Sequence, residues 1–377
     1  MIKCKTFYEQ LQNIDINFFT GVPDSLLKSF CAYIKDNVDY SKNIIAANEG
    51  NAVGLAAGYY LAANKIGLVY MQNSGEGNII NPLASLTDRL VYNIPVLLVI
   101  GWRGEPDEKD EPQHEKQGII TTSLLEIMGI KYSILSKNTT EDNSKEILEN
   151  AYNYMMESKE PYALVIKKGT FEEYKLKSNE NNNFEMTREE VLEIIIDSIE
   201  ENDVIVSTTG MTSREIFEIR ERRNEEHNKD FLTVGSMGHA SQIALGIALN
   251  KQDKNIYCID GDGSLIMHMG GLAIIGQQYP ENFKHIVINN GAHDSVGGQE
   301  TAGFNIDIPD IAKACGYADY MSCSTREVLA KYLQKIKSVK GPALLEIKVK
   351  KGARKNLGRP KTTPIDNKKI FMKFLEK

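Results

Sequence analysis

Two short runs carry the strongest chemical signal in this chain. The first, Cys258-Ile-Asp-Gly261-Asp262-Gly263-Ser264, ends an apolar stretch and opens a helix-like one. Glycines there permit positive φ and close backbone approach, and a helix start offers unpaired N–H groups and the positive end of a dipole. A diphosphate suits such a place, but the carboxylate of Asp262 would repel it. A bridging hard cation resolves that conflict by taking oxygen ligands from protein and phosphate together. The second run, Ile286-Val-Ile-Asn289-Asn290-Gly-Ala292, ends the next predicted strand, with the twenty-five residues 264–288 between. Adjacent parallel strands would set Asp262 and Asn290 side by side at the carboxyl edge of a sheet, where α/β proteins bind ligands.

Other positions gain meaning beside these. Met237 stands between two glycines in Gly235-Ser236-Met237-Gly238, and Thr209-Gly210-Met211 makes another strand-end turn. Far upstream, Glu49 sits at a strand-to-helix junction, followed by a helix rich in Ala and Gly. Small residues let that helix pack closely, and the acid stabilises its start. Residues 72–78, Gln-Asn-Ser-Gly-Glu-Gly-Asn, form a Gly-rich turn in the same half.

The elements that must hold these residues alternate. Strands are predicted at residues 16–19, 44–46, 67–71, 96–100 and 163–166, with helices such as 50–63 and 143–158 between them. Such alternation implies a mostly parallel sheet covered on both faces. The pattern lapses at residues 172–186, where Ser178 to Asn183 is polar and without period, so an interdomain connection is expected there. It resumes with a helix at 188–198 and strands at 204–206, 231–234, 256–259, 285–288 and 343–347. Two α/β domains follow, residues 1–171 and 187–377.

Composition narrows the class. The chain has 377 residues, enough for two or three domains at about 150 each. Its formal charge of −7 argues against a general nucleic-acid binder. No apolar run reaches membrane-spanning length, and the start has no apolar block of a signal peptide. The five cysteines include no C-x-x-C pair, so neither a disulfide framework nor a zinc site is expected, and reduced thiols in a cytoplasm are.

The GDGS run, its interval and the following NN resemble the signature of the thiamine-diphosphate enzymes. That resemblance implies two doubly wound domains, pyrimidine-binding then diphosphate-binding, with no middle domain. It implies that Asp262, the Asn290 side chain and the Ala292 carbonyl hold Mg²⁺, that Gly210, Met211 and Ser264 contact the diphosphate, and that Ser236 and Gly263 also bind the cofactor. The Gly235 carbonyl would accept from the cofactor's exocyclic amine, and Met237 would wedge its two rings into a bent form. Glu49 resembles the family's partner of the aminopyrimidine ring. A buried carboxyl can share a proton with that ring, whose imino nitrogen then deprotonates the thiazolium carbon to an ylid that attacks a 2-oxo acid. The family builds each site from two subunits, so a homo-oligomer, dimeric at least, is implied, with active sites at subunit interfaces.

Further runs resemble the phosphonopyruvate decarboxylases, whose nearest relatives are the sulfopyruvate decarboxylases. They include Gly21-Val-Pro-Asp-Ser, Gly101-Trp-Arg103-Gly-Glu-Pro, Asp110-Glu-Pro-Gln-His114, Ala292-His293-Asp294-Ser295-Val-Gly-Gly-Gln and Lys351-Gly-Ala-Arg354-Lys355-Asn-Leu-Gly-Arg359-Pro. Lys355-Asn-Leu stands where Lys-Asp-Leu is expected. The resemblance implies decarboxylation of 3-phosphonopyruvate to phosphonoacetaldehyde in phosphonate biosynthesis. The alternatives are 3-sulfopyruvate as substrate, another 2-oxo acid, acyl transfer, or a silent module. A dianionic phosphonate needs cations besides Mg²⁺, and Arg354, Arg359 and Arg103 are the candidates. The cluster from Lys348 to Lys361 reads equally as a solvated basic tail. His293 and His114 are candidate proton donors, His114 equally a surface histidine. His239, His268 and His285 read as packing or helix-surface residues.

Overall fold

The structure is a computed structural model that describes residues 1–177 and 182–376. The chain divides into two compact units, Met1–Asn179 and Glu180–Lys377. Residues 178–181, at the centre of the expected connection, lie outside the described residues.

The first unit holds six strands: β1 Phe19–Gly21, β2 Asn43–Ile45, β3 Gly67–Gln72, β4 Val96–Gly101, β5 Lys131–Leu135 and β6 Tyr162–Ile166. They form one sheet in the order β2-β1-β3-β4-β6-β5, every pair parallel. A parallel sheet must be covered on both faces, and the sequence of β4, Val-Leu-Leu-Val-Ile-Gly, is buried at all six positions. Alternate residues enter separate cores. Leu68, Tyr70, Leu97 and Val99 join Phe7, Phe19 and Phe30, while Val69, Met71, Leu98 and Ile100 join Ala52, Val53 and Ala56 of the helix Glu49–Ala63.

The second unit repeats the plan with β7 Val204–Ser207, β8 Asp230–Leu232, β9 Ile256–Gly261, β10 Phe283–Asn289, then the two-residue strands β11 Ala292–His293 and β12 Gln299–Glu300, and finally β13 Asp319–Cys323 and β14 Ala343–Lys348. The large sheet runs β13-β14-β10-β9-β7-β8, all parallel, and β11 pairs with β12 as a small antiparallel hairpin. On one face Ile205, Tyr257, Ile259 and Ile286 pack with Val191, Ile195 and Ile216; on the other Val206, Ile256, Cys258 and Val287 pack with Ala240, Ala244 and Ala248. A capping box, Thr187 with Glu190, starts the helix Arg188–Ser198 and fixes Arg188 in its first turn. Among the described residues no helix or strand of a sheet intervenes between β6 and that helix, as expected for a chain without a middle domain.

One expectation needs correction, and three elements come in addition to the expected ones. The first strand lies at Phe19–Gly21, three residues beyond the start of the predicted one. The edge strands β5 and β13, and the last helix Pro364–Leu375, were not anticipated. Among the described residues no helix is long and apolar enough to cross a membrane, and all five cysteines are free.

Candidate active site

In the first unit, neighbouring strands end together. Beyond β1 comes the turn of residues 21–25, beyond β2 Glu49, beyond β3 residues 72–78, and beyond β4 Trp102 and Arg103. Asn48 caps the helix Glu49–Ala63 by accepting from the Asn51 N–H at 2.9 Å, which sets Glu49 as the first helical residue. Glu49 is only 5% exposed, and the Asn78 amide donates to its Oε2 at 2.6 Å. A Cβ at Gly75 would fall 2.4 Å from Oε1, so any side chain there would push the Glu49 carboxylate from its place.

Arg103 is strongly committed in this unit. Its Nε donates to Asp110 Oδ2 at 2.7 Å, its Nη2 to Asp110 Oδ1, and its Nη1 to Ser25 Oγ at 2.7 Å. His114 Nδ1 stands 3.0 Å from the same Asp110 oxygen, and the Gly104 N–H donates to Oδ2 at 2.9 Å. Burial alone would raise the Asp110 carboxyl, but Arg103, His114 and that N–H together hold it well below the usual range. The two sequence candidates Arg103 and His114 are therefore brought together, through an aspartate that carried no assigned role. Asn73 ties this cluster to the Gly-rich turn, donating to the Arg103 carbonyl at 2.8 Å and the Thr121 hydroxyl at 3.0 Å. The indole of Trp102 donates to the Gly118 carbonyl at 2.9 Å, and the Lys167 ammonium lies 5.3 Å above its ring. Glu76, 2% exposed, has neither oxygen in a well-formed hydrogen bond among the described residues; burial pushes its carboxyl up to about 8, with only part offset by Thr121.

In the second unit, β7, β9 and β10 are neighbours, and their ends carry Gly210, Asp262 and Asn290. Parallel pairing sets Ile288 opposite Gly261, so Asp262 and Asn290 are adjacent as anticipated. Asp262 is 2% exposed and opens the short helix Asp262–Met267. Burial pushes its carboxyl up to about 6, against the pull of the Thr301 hydroxyl and the Asn290 N–H. A cation alongside would reverse that shift. Asn290 donates its amide nitrogen to Asp294 Oδ2 at 2.6 Å, so its Oδ1 is the end left for a ligand, although it also accepts the Ala292 N–H at 3.1 Å. An acid, an amide oxygen and a main-chain carbonyl are the donor set a hard divalent cation takes, and they fit Mg²⁺.

The surrounding turns suit a diphosphate. Gly210 has φ +91° and open space at its Cβ position, and the helix Met211–Arg223 begins directly after it. Gly235, Ser236 and Gly238 all have positive φ, placing half-buried Met237 within a tight turn. Ser264 Oγ accepts from the Gly238 N–H at 3.0 Å and from Thr208 Oγ1 at 2.9 Å, so its hydroxyl joins this turn to the end of β7. The His293 ring lies against Gly263, whose Cβ would come within 2.9 Å of it. Burial lowers the imidazole to about 4, with Asp294 opposing, which leaves it neutral at pH 7.

Asp294 is a hub that its place in the sequence did not reveal. Besides Asn290, its Oδ2 accepts from the Gly352 N–H at 3.0 Å and from Arg188 Nη1 at 3.1 Å, and Arg188 also binds Glu215 through two donors at 2.7 and 3.0 Å. Thr301 was equally unforeseen. The hairpin of β11 and β12, turned by Gly297 and Gly298, returns it to Gly291, and that glycine pair was the one available hint. Arg354 does not stand open in this unit. Its Nε contacts both Glu189 oxygens at 3.0 and 3.1 Å, and its Nη2 pairs with Glu218. Arg359 is exposed on the same loop.

Comparisons with known proteins agree on a single family. Residues 4–125 match the thiamine pyrophosphate enzyme N-terminal TPP binding domain, and residues 207–347 match the C-terminal TPP binding domain. A phosphonopyruvate decarboxylase of Streptomyces viridochromogenes is 32% identical over 100% of this chain and 95% of its own length. One of Streptomyces hygroscopicus is 31% identical over 99% of this chain and 94% of its own. A sulfopyruvate decarboxylase of Methanosarcina acetivorans is 27% identical, covering 91% of this chain and 90% of its own length.

Proposed function

Because the chain belongs to the thiamine pyrophosphate enzymes and carries both of their cofactor-binding domains, we propose that it decarboxylates 3-phosphonopyruvate to phosphonoacetaldehyde and CO₂, using thiamine diphosphate and Mg²⁺. The observation that carries this reading is the pairing of buried Asp262 with Asn290 on adjacent strand ends, on a loop whose glycines admit a diphosphate.

When bound, the coenzyme supplies the electron sink that accepts the pair left as CO₂ departs. The chain's own residues do the rest. Asp262, the Asn290 amide oxygen and the Ala292 carbonyl hold the cation, while Gly210, Met211, Ser236, Gly263 and Ser264 line the diphosphate. Gly235 and Met237 shape the ring contact. Glu49, braced by Asn78, holds a proton for the pyrimidine ring. His293, neutral against Gly263, or His114 beside Asp110 delivers a proton to the departing product. Arg103, Arg354 and Arg359 are our candidates for the phosphonate, and Arg354 must exchange a carboxylate of Glu189 or Glu218 for it. We take the protein to work in the cytoplasm as at least a homodimer, each site shared between subunits.

A second reading, 3-sulfopyruvate as substrate, is favoured by the commitment of Arg103 and Arg354 to carboxylates, since a sulfonate needs less positive charge. A head-to-head assay separates them. The protein with thiamine diphosphate and Mg²⁺ is offered phosphonopyruvate, sulfopyruvate and pyruvate, and aldehyde release is measured for each. The highest kcat/KM should belong to phosphonopyruvate; a preference for sulfopyruvate transfers the assignment to the second reading.

A further inference from the structure

Beneath the cofactor loop lies a group of side chains for which that chemistry has no use. Cys258 and Asp260 stand two residues apart on β9 and share one face, and His285 on β10 is the register partner of Cys258. All three are buried, at 0%, 1% and 0% exposure, and their ligand atoms lie within 4.8 Å of one another. We infer that Cys258 Sγ, Asp260 Oδ2 and His285 Nε2 form a three-donor site for a zinc-class ion, separate from the oxygen site at Asp262, where the cysteine spacing had given no sign of one.

Two orphaned atoms point to a ligand. Asp260 Oδ2 and His285 Nε2 are fully buried without a hydrogen-bond partner among the described residues, and they face each other at 3.7 Å. That separation is too long for a hydrogen bond. It suits two ligands on one ion, with bonds of about 2.0–2.2 Å each. The far ends of both side chains are already engaged. Asp260 Oδ1 accepts the Gly261 N–H at 3.0 Å, and His285 Nδ1 stands 3.1 Å from the Tyr317 hydroxyl. With Nδ1 held by Tyr317, the ring presents Nε2, which is the arrangement an outer partner imposes on a metal-bound imidazole.

The donor set chooses the ion. One thiolate, one imidazole and one carboxylate suit zinc rather than magnesium or calcium. A thiolate and a carboxylate also cancel a dication, so the loaded site is neutral in an apolar interior where lone charges are unfavourable. Burial, with Asp260 adding to it, keeps the unloaded Cys258 thiol well above its ordinary value. Loading therefore releases that proton to solvent as the S–H bond is exchanged for a metal–sulfur bond. The ion would cross-link β9 to β10 a few residues below Asp262 and Asn290, fixing the separation of the strand ends that carry them.

The full-length protein is produced in zinc-supplemented medium, washed with EDTA and analysed by elemental mass spectrometry. About one zinc per chain survives the wash, since an enclosed ion leaves only on unfolding. Unfolding, stripping and refolding with Co²⁺ gives a thiolate-to-cobalt charge-transfer band in the near ultraviolet. Cys258→Ala loses this band, whereas Asp262→Ala keeps it, because the oxygen site has no sulfur. A purified protein with less than about a tenth of an ion per chain overturns the site, as does a band that persists in Cys258→Ala. Should that variant or the stripped chain not fold, X-ray absorption at the zinc edge of the purified protein decides. One sulfur among light scatterers supports the site, and a shell without sulfur overturns it.

Discussion

Glu49 and Asp262 are both buried carboxylates, yet their neighbours prepare them for different work. Glu49 meets one amide, Asn78, and a glycine turn, whereas Asp262 takes donors from Thr301 and Asn290 and sits where a cation would complete it. Glu49→Gln keeps the hydrogen-bonding shape but loses the exchangeable proton. Calorimetry should show cofactor binding nearly intact while turnover falls by about 10²–10⁴-fold; a variant with normal turnover removes Glu49 from the chemistry. Asp294→Ala removes the acceptor that orients the Asn290 amide. The Mg²⁺ concentration for half-maximal activity should rise about 10–100-fold, with saturating Mg²⁺ restoring most of the rate. An unchanged Mg²⁺ titration contradicts that orienting role. The placement of Asp262 and Asn290 at neighbouring strand ends was legible because strand ends can be read from a sequence and their spacing survives folding. Thr301 and Asp110 were not, since each reaches its partner through the course of a loop that no period encodes.

At the scale of elements, helix starts and turns decide where charge is buried. Glu76 opens the helix Glu76–Pro82 and is enclosed without good partners, its folded carboxyl raised to about 8. Between the ordinary carboxylate range and that value the native state binds more protons than the unfolded one, so stability falls as pH rises through this window and levels off above it. Urea unfolding should show wild type losing up to about 1.4 kcal/mol per pH unit relative to Glu76→Gln between pH 5 and 8. Parallel pH profiles for the two would mean the carboxyl titrates normally. The same scale explains which strands escaped reading. Central strands such as Val96–Gly101 are unbroken apolar runs because both faces are covered. Two of the four edge strands, Lys131–Leu135 and Asp319–Cys323, mix polar with apolar residues, keep part of their length in contact with water, and give no comparable signal. Helix starts were clearer: helices were expected from residues 50 and 188, and they begin at Glu49 and Arg188.

For the whole molecule, the two units place half of the proposed chemistry on each sheet edge, Glu49 on one and Asp262 on the other. The proposal that each site is shared between subunits has a simple consequence. Neither Glu49→Gln nor Asp262→Ala should be active alone, but co-expressed in equal amounts they should regain about a quarter of wild-type activity, because half of the randomly formed dimers hold one intact site. No recovery in verified mixed dimers would place each site within one chain. The chain also has a single tryptophan, Trp102, pinned to Gly118 directly beside Arg103. Its emission is therefore an unlabelled optical reporter seated at the first sheet's working edge, able to follow occupancy there in real time without any probe being attached.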